Sequence, residues 1–97
     1  MATPEGKVKE ACKRVFNKHG VWYFMPIGGP YTTHGIPDFV CCWQGRFLTV
    51  ETKAPGKRAN TTPNQKRVME EIKAHNGIAL VVDDAQQLTN FLLGETT

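Results

Sequence analysis

No apolar run in this sequence approaches the ~18 residues of a membrane span. The opening stretch, MATPEGKVKE, lacks the apolar core of a signal peptide. Cysteine is scarce: Cys12, Cys41 and Cys42 are the three present. An odd count with two adjacent positions makes a poor disulfide framework, so a reducing compartment is expected. Internal repeats and low-complexity segments are missing, and Lys and Arg do not occur after Asn76. These absences argue against a secreted disulfide scaffold, a helical membrane protein and a repeat array. A soluble, intracellular protein of the cytoplasm is expected.

What is present suits one small domain over residues 1–97. A hydrophobic content of 40% supports a globule, although a core of this size is marginal alone. The net charge of +3 is mild but unevenly distributed. Lys7, Lys9, Lys13, Arg14 and Lys18 crowd the first helix candidate. Lys53, Lys57, Arg58, Lys66 and Arg67 crowd the middle of the chain. A basic face of this kind is compatible with a polyanionic partner.

Thr3-Pro4-Glu5 reads as a helix start, with Thr3 as cap and Pro4 in the first turn. The helix runs toward His19, with Gly20 as its stop. At about 100° per residue, Val8, Ala11, Cys12, Val15 and Phe16 fall on one arc. Glu5 lies inside that arc and Glu10 opposite it. Val21 to Met25 reads as a strand, followed by the loop PIGGPYTTHG. Two strands, Asp38 to Trp43 and Arg46 to Lys53, flank a hairpin turn at Gln44-Gly45. A polar, basic loop leads to a second helix at Thr62-Pro63-Asn64-Gln65, whose T-x-x-Q pattern is a capping box. That helix ends near Asn76, with Gly77 just past it. Ile78 to Val82 suits a buried strand, and Ala85 to Leu93 a last short helix. The order α-β-β-β-α-β-α contains one β-α-β crossover, expected to be right-handed, so part of the sheet is parallel.

Within this frame three charges are out of place. Asp38, Glu51 and Lys53 sit at the ends of strands that are otherwise apolar. A charge in a buried strand is costly unless paired or bound to a metal. Either these are solvated edge residues, or they meet in space. Glu51 and Lys53 share a strand face. Asp38 and Glu51 each lie six positions from the Gln44-Gly45 turn, which makes them cross-strand neighbours. Adjacent carboxylates repel, and the usual resolution is a divalent cation or a shared proton. Carboxylate oxygens suit Mg2+ or Mn2+. A lysine on the same face can hold a water or stabilise charge developing on phosphorus. Two carboxylates, a metal and a lysine form a set for phosphodiester hydrolysis.

The spacing Pro37-Asp38, twelve residues, then Glu51-Thr52-Lys53 is similar to the signature of PD-(D/E)xK nucleases. The rest of the chain resembles the VRR-NUC domain in the small stand-alone form found in phages and bacteria. The resemblance is carried by Thr3-Pro4-Glu5-Gly6-Lys7-Val8-Lys9, Gly20, Gly35-Ile36-Pro37-Asp38-Phe39 and Gly45-Arg46-Phe47. Glu51-Thr52-Lys53, Thr62-Pro63-Asn64-Gln65 and Gly77 extend it over nearly the whole chain. It implies an α/β fold of restriction-endonuclease type, a mixed sheet flanked by helices. It implies that Asp38, Glu51 and the backbone carbonyl of Thr52 are metal ligands, that Glu5 reaches the metal directly or through water, and that Lys53 positions the attacking water. It implies that Gln65 supports the site from the second helix. Thr52 departs from the family pattern, where an aliphatic residue is common. The departure is expected to cost little, since its side chain points away from Glu51. A homodimer cutting branched DNA, such as four-way junctions or flaps, is the implied activity.

Several residues admit a plainer role. Gln65 can serve only as a capping-box residue, and Glu5 only as an acid answering the helix dipole. His34 can contact phosphate or metal, or be polar surface. Tyr31 is the loop's candidate for base stacking, whereas Trp22, Tyr23, Phe24, Phe39 and Phe47 are expected in the core. Lys57 and Arg58 can contact the DNA backbone or belong to a solvated loop. The cysteines lack zinc-site spacing. The rival functions are a nucleic-acid-binding module without catalysis, and an accessory protein whose acids are surface charges.

Overall fold

A computed structural model of the chain describes residues 2–28 and 34–94. Tyr31 lies outside these residues. Among them the elements follow the order α1 (Pro4–Lys18), β1 (Trp22–Phe24), β2 (Phe39–Trp43), β3 (Arg46–Thr52), α2 (Pro63–Ala74), β4 (Ile78–Val82) and α3 (Ala85–Leu92), with a 3-10 turn at Arg58–Asn60 before α2. This is the expected order, with most ends shifted by a residue or two.

Local chemistry sets the boundaries. The Thr3 side chain accepts from the Gly6 amide at 2.9 Å to open α1, and Gly20, at φ +67°, closes it. Thr62 and Gln65 form the reciprocal capping box of α2. Its exit lies near Asn76 as expected. Asn76 takes the left-handed conformation at φ 67°, a role Asn tolerates. Gly77 is needed for space instead: a Cβ there would lie 2.7 Å from the Ile72 side chain and 3.2 Å from Phe47.

The strands stack in sequence order, β1-β2-β3-β4. β1 pairs antiparallel with β2, and β2 with β3. The crossover through α2 makes β3 and β4 parallel. Gln44 and Gly45 both have positive φ, 51° and 76°, as a type I′ hairpin turn requires. The core lies between one sheet face and helices α1 and α3. Val8, Cys12 and Phe16 of α1 meet Phe39, Cys41, Leu48, Val50 and Val82 of the sheet and Leu88 of α3. Phe16 packs edge-on against Phe39 at 5.1 Å. The cysteines are free. Burial, reinforced by nearby carboxylates, pushes the Cys12 thiol up to about 11. Burial does the same to Cys41, up to about 12. Both remain protonated core residues.

The other face is only partly covered. Helix α2 packs mainly on β4 and leaves the β1–β2 half open. Trp22 and Phe24 of β1 are therefore exposed rather than core, at 62% and 47%, and Phe47 of β3, beside α2, is exposed as well, at 50%. The expectation that they are buried fails because it depends on how far one helix reaches across the sheet. No helix among the described residues is long and apolar enough to cross a membrane.

Candidate active site

The site forms where the C-terminal end of β3 meets the start of β2. Register carries Phe39 opposite Val50, and its extension sets Asp38 beside Glu51. The Asp38 amide donates to Glu51 Oε1 at 3.2 Å. In return, the Thr52 amide donates to Asp38 Oδ2 at 2.9 Å. Beyond the ladder, the Lys53 amide donates to the Val82 carbonyl at 2.9 Å, which fixes the strand end against β4.

Thr52 does more than its backbone requires. Its hydroxyl also donates to Asp38 Oδ2, at 2.7 Å, and the residue is fully buried. Its side chain, expected to be idle, thus helps fix Asp38. With Oδ2 held twice, Oδ1 is turned toward Lys9 Nζ at 3.6 Å, too long for a good hydrogen bond.

Gln65 joins the two helix-cap and site roles in one amide. Its Oε1 accepts from the Thr62 amide and from Lys53 Nζ, both at 2.9 Å. Its Nε2 donates to Glu51 Oε2 at 2.9 Å. Lys53 Nζ lies 3.8 Å from that same carboxylate oxygen. The α2 start is held in place from the loop side. Gly35, at φ +87°, packs so closely that a Cβ would overlap the Asn64 carbonyl and lie 2.8 Å from the Gln65 amide nitrogen.

Glu51 is 5% exposed. Burial, then the Asp38 carboxylate, pushes its pKa up to about 7, while Lys53 and the Asp38 amide pull the other way. Burial and the neighbouring carboxylate thus both make an ionised Glu51 costly. That favours a hard cation with oxygen preference, so the donors Asp38 and Glu51 fit a divalent ion in kind. A third acid is near but engaged: Glu5 Oε2 lies 3.3 Å from Lys9 Nζ. Among the described residues, no three His, Cys, Asp or Glu side chains are grouped to hold a metal ion.

Lys9 is the residue that sequence reasoning missed at this site. It reads as one of many basic positions on α1, yet it follows Glu5 by one helical turn, the spacing at which Glu and Lys side chains meet. Burial alone would lower its pKa; the carboxylates of Asp38, Glu5 and Glu51 outweigh that and hold it above the ordinary value.

The candidate DNA contacts stand apart. No hydrogen bond or ion pair among the described residues joins the side chains of Lys57, Arg58 or His34 to Asp38 or Glu51. Arg58 Nε lies 3.6 Å from Asp83 Oδ1, and Asp83 Oδ2 accepts from the Gly56 amide at 2.8 Å, tying the basic loop to the end of β4. The His34 carbonyl accepts from Arg67 Nη2 at 3.4 Å, and its ring is exposed.

A four-stranded mixed sheet between helices, with carboxylates meeting at the end of its central hairpin, defines a protein of restriction-endonuclease type. No family model and no curated protein matches the chain. A solved structure described as a VRR_NUC domain does, with a TM-score of 0.75 and 26% sequence identity, covering 96% of this chain and 98% of that one. The chain thus has the fold of a VRR-NUC domain over nearly its whole length.

Proposed function

We propose that this domain is a metal-dependent endonuclease that hydrolyses DNA phosphodiester bonds, selective for branched structures such as four-way junctions or flaps. The observation that carries this function is the pair of a half-buried Asp38 and a buried Glu51, locked by Thr52 on one side and by Gln65 and Lys53 on the other. So much fixed negative charge next to a tethered ammonium has little use in a surface-charge role.

Asp38, Glu51 and the Thr52 carbonyl would hold Mg2+ or Mn2+, with Glu5 joining directly or through water. Once bound, the ion lowers the pKa of a water molecule and polarises the phosphoryl oxygen. Lys53 holds that water in line with the leaving 3′ oxygen, giving 5′-phosphate and 3′-hydroxyl ends. Gln65 fixes Lys53 and Glu51 relative to one another, so little reorganisation is needed at the moment of attack. Lys57, Arg58, His34 and Tyr31 contact the DNA. A homodimer would provide paired incisions; the exposed Trp22, Phe24 and Phe47 offer an apolar surface for a second copy.

Cleavage of labelled duplex, single-stranded, flap and four-way-junction DNA tests the function, with Mg2+ or Mn2+ against EDTA. Metal-dependent cutting that is lost in Lys53→Ala establishes the nuclease and identifies the preferred shape. Binding without cutting, by wild-type protein that takes up metal, overturns catalysis and leaves a binding module.

A further inference from the structure

We propose that Lys9 is the resident cation of the carboxylate site, and that a divalent ion must displace its ammonium group to bind. The inference rests on the site being a metal site, as argued above.

Two ammonium groups divide three carboxylates between them. Lys53 stands by Glu51, and is fixed there by Gln65. Lys9 stands between Glu5 and Asp38, at 3.3 Å and 3.6 Å. Its side chain is only 28% exposed, so it is not a solvated surface lysine that happens to pass nearby. The oxygen it faces matters most. Asp38 Oδ2 is committed to the Thr52 amide and hydroxyl, which leaves Oδ1 as the oxygen available to an incoming ion. Lys9 faces Oδ1 and holds Glu5 as well. An ammonium and a divalent cation drawn to the same carboxylate oxygen repel each other, and in a half-buried setting that repulsion is poorly screened.

Lys9 then has two effects of opposite sign. Without metal it neutralises carboxylates that would otherwise repel one another across the junction of α1 and the sheet. With metal it is a competitor that must swing outward on its flexible four-carbon stem, freeing Glu5 to turn toward the ion. The lysine thereby sets the threshold of metal concentration at which the site loads.

Calorimetric titration of Mn2+ into wild type, Lys9→Met and Lys9→Arg, with melting curves in EDTA, separates these effects. Lys9→Met is expected to bind Mn2+ at least tenfold more tightly, while its metal-free melting temperature falls by several degrees. Lys9→Arg keeps the charge and is expected to bind no more tightly than wild type. Wild-type binding with unchanged or weaker binding by Lys9→Met overturns the role of Lys9 and leaves the metal site standing. An equal gain in Lys9→Arg also overturns it, since charge would not be the cause. Absence of Mn2+ binding in both wild type and Lys9→Met overturns the metal site itself. Nuclear magnetic resonance of 15N-lysine-labelled wild type provides a check that needs no variant. A Lys9 ammonium signal protected from exchange without metal should disappear at saturating Mg2+; its persistence overturns displacement.

Discussion

Gln65 Nε2 donates to Glu51 Oε2 at 2.9 Å, joining the first turn of α2 to the end of β3. The same side chain completes the helix cap. Helix stability and site geometry thus depend on one amide, and substitutions can separate them. Thr62→Ala removes a cap acceptor and is expected to cost ~1 kcal/mol, seen in chemical denaturation, with cleavage within a few-fold of wild type. Gln65→Ala breaks the cap as well, and also frees Lys53 and Glu51. Its cleavage rate is expected to fall more than tenfold for a comparable loss of stability.

The raised pKa of Glu51 predicts an unusual pH dependence for the metal-free fold. The ordinary carboxyl value is 4.5 and the folded value about 7. Between them the folded state binds more protons than the unfolded state, so stability falls as pH rises. The contribution is complete below pH 4.5 and is lost above pH 7. At about 1.4 kcal/mol per pKa unit, the whole window amounts to about 3–4 kcal/mol. Melting curves in EDTA from pH 4.5 to 8 should display this decline, and Glu51→Gln should flatten it. A wild-type slope equal to that of the variant would refute the assignment.

Thr52→Val tests the hydroxyl that holds Asp38. Valine fills similar space and keeps the backbone amide bond, so the change isolates one hydrogen bond to a carboxylate. A loss of about 1.5–3 kcal/mol is expected in urea unfolding. Asp38 gains freedom, so Mn2+ affinity should fall several-fold. An aliphatic residue that left both quantities unchanged would mean that the amide alone fixes Asp38.

Gly35 and Gly45 both have positive φ, at 87° and 76°, but only Gly35 is pressed against backbone. Gly45→Ala meets open space and should cost about 1 kcal/mol for its conformation alone. Gly35→Ala must also push the start of α2 away, and an expected cost of about 2–3 kcal/mol lies at the upper end of ordinary substitutions. Cleavage should suffer only in the second variant, because Gln65 moves with the helix.

The parts of the fold that the sequence made legible are those with local signals. Thr3-Pro4, the Thr62 box, the Gln44-Gly45 turn and the Ile78–Val82 run each announce an element through nearby residues. The Asp38–Glu51 contact was legible as well, because a tight turn fixes which residues face each other. Gln65 was left open between cap and site, and an amide with separate donor and acceptor ends does both. Lys9 was not legible as part of the site, since its place depends on α1 docking at the sheet end. The exposure of Trp22, Phe24 and Phe47 was missed for a similar reason: a strand pattern does not say how much of a face a distant helix will cover. The end of α2 near Asn76 was legible, but the left-handed conformation of Asn76 and the packing that needs Gly77 were not, since both depend on how the chain turns into β4.

The hairpin turn has a consequence at long range. Six residues of strand at about 3.3 Å each put the chemistry some ~20 Å from Gln44-Gly45. The turn touches neither carboxylate, yet it acts as the ruler for both. One added residue there would slip β2 against β3, send alternate side chains to the opposite face, and part Asp38 from Glu51 while leaving every functional residue in the sequence. In this small domain, the length of a distant loop is under the same constraint as the acids themselves.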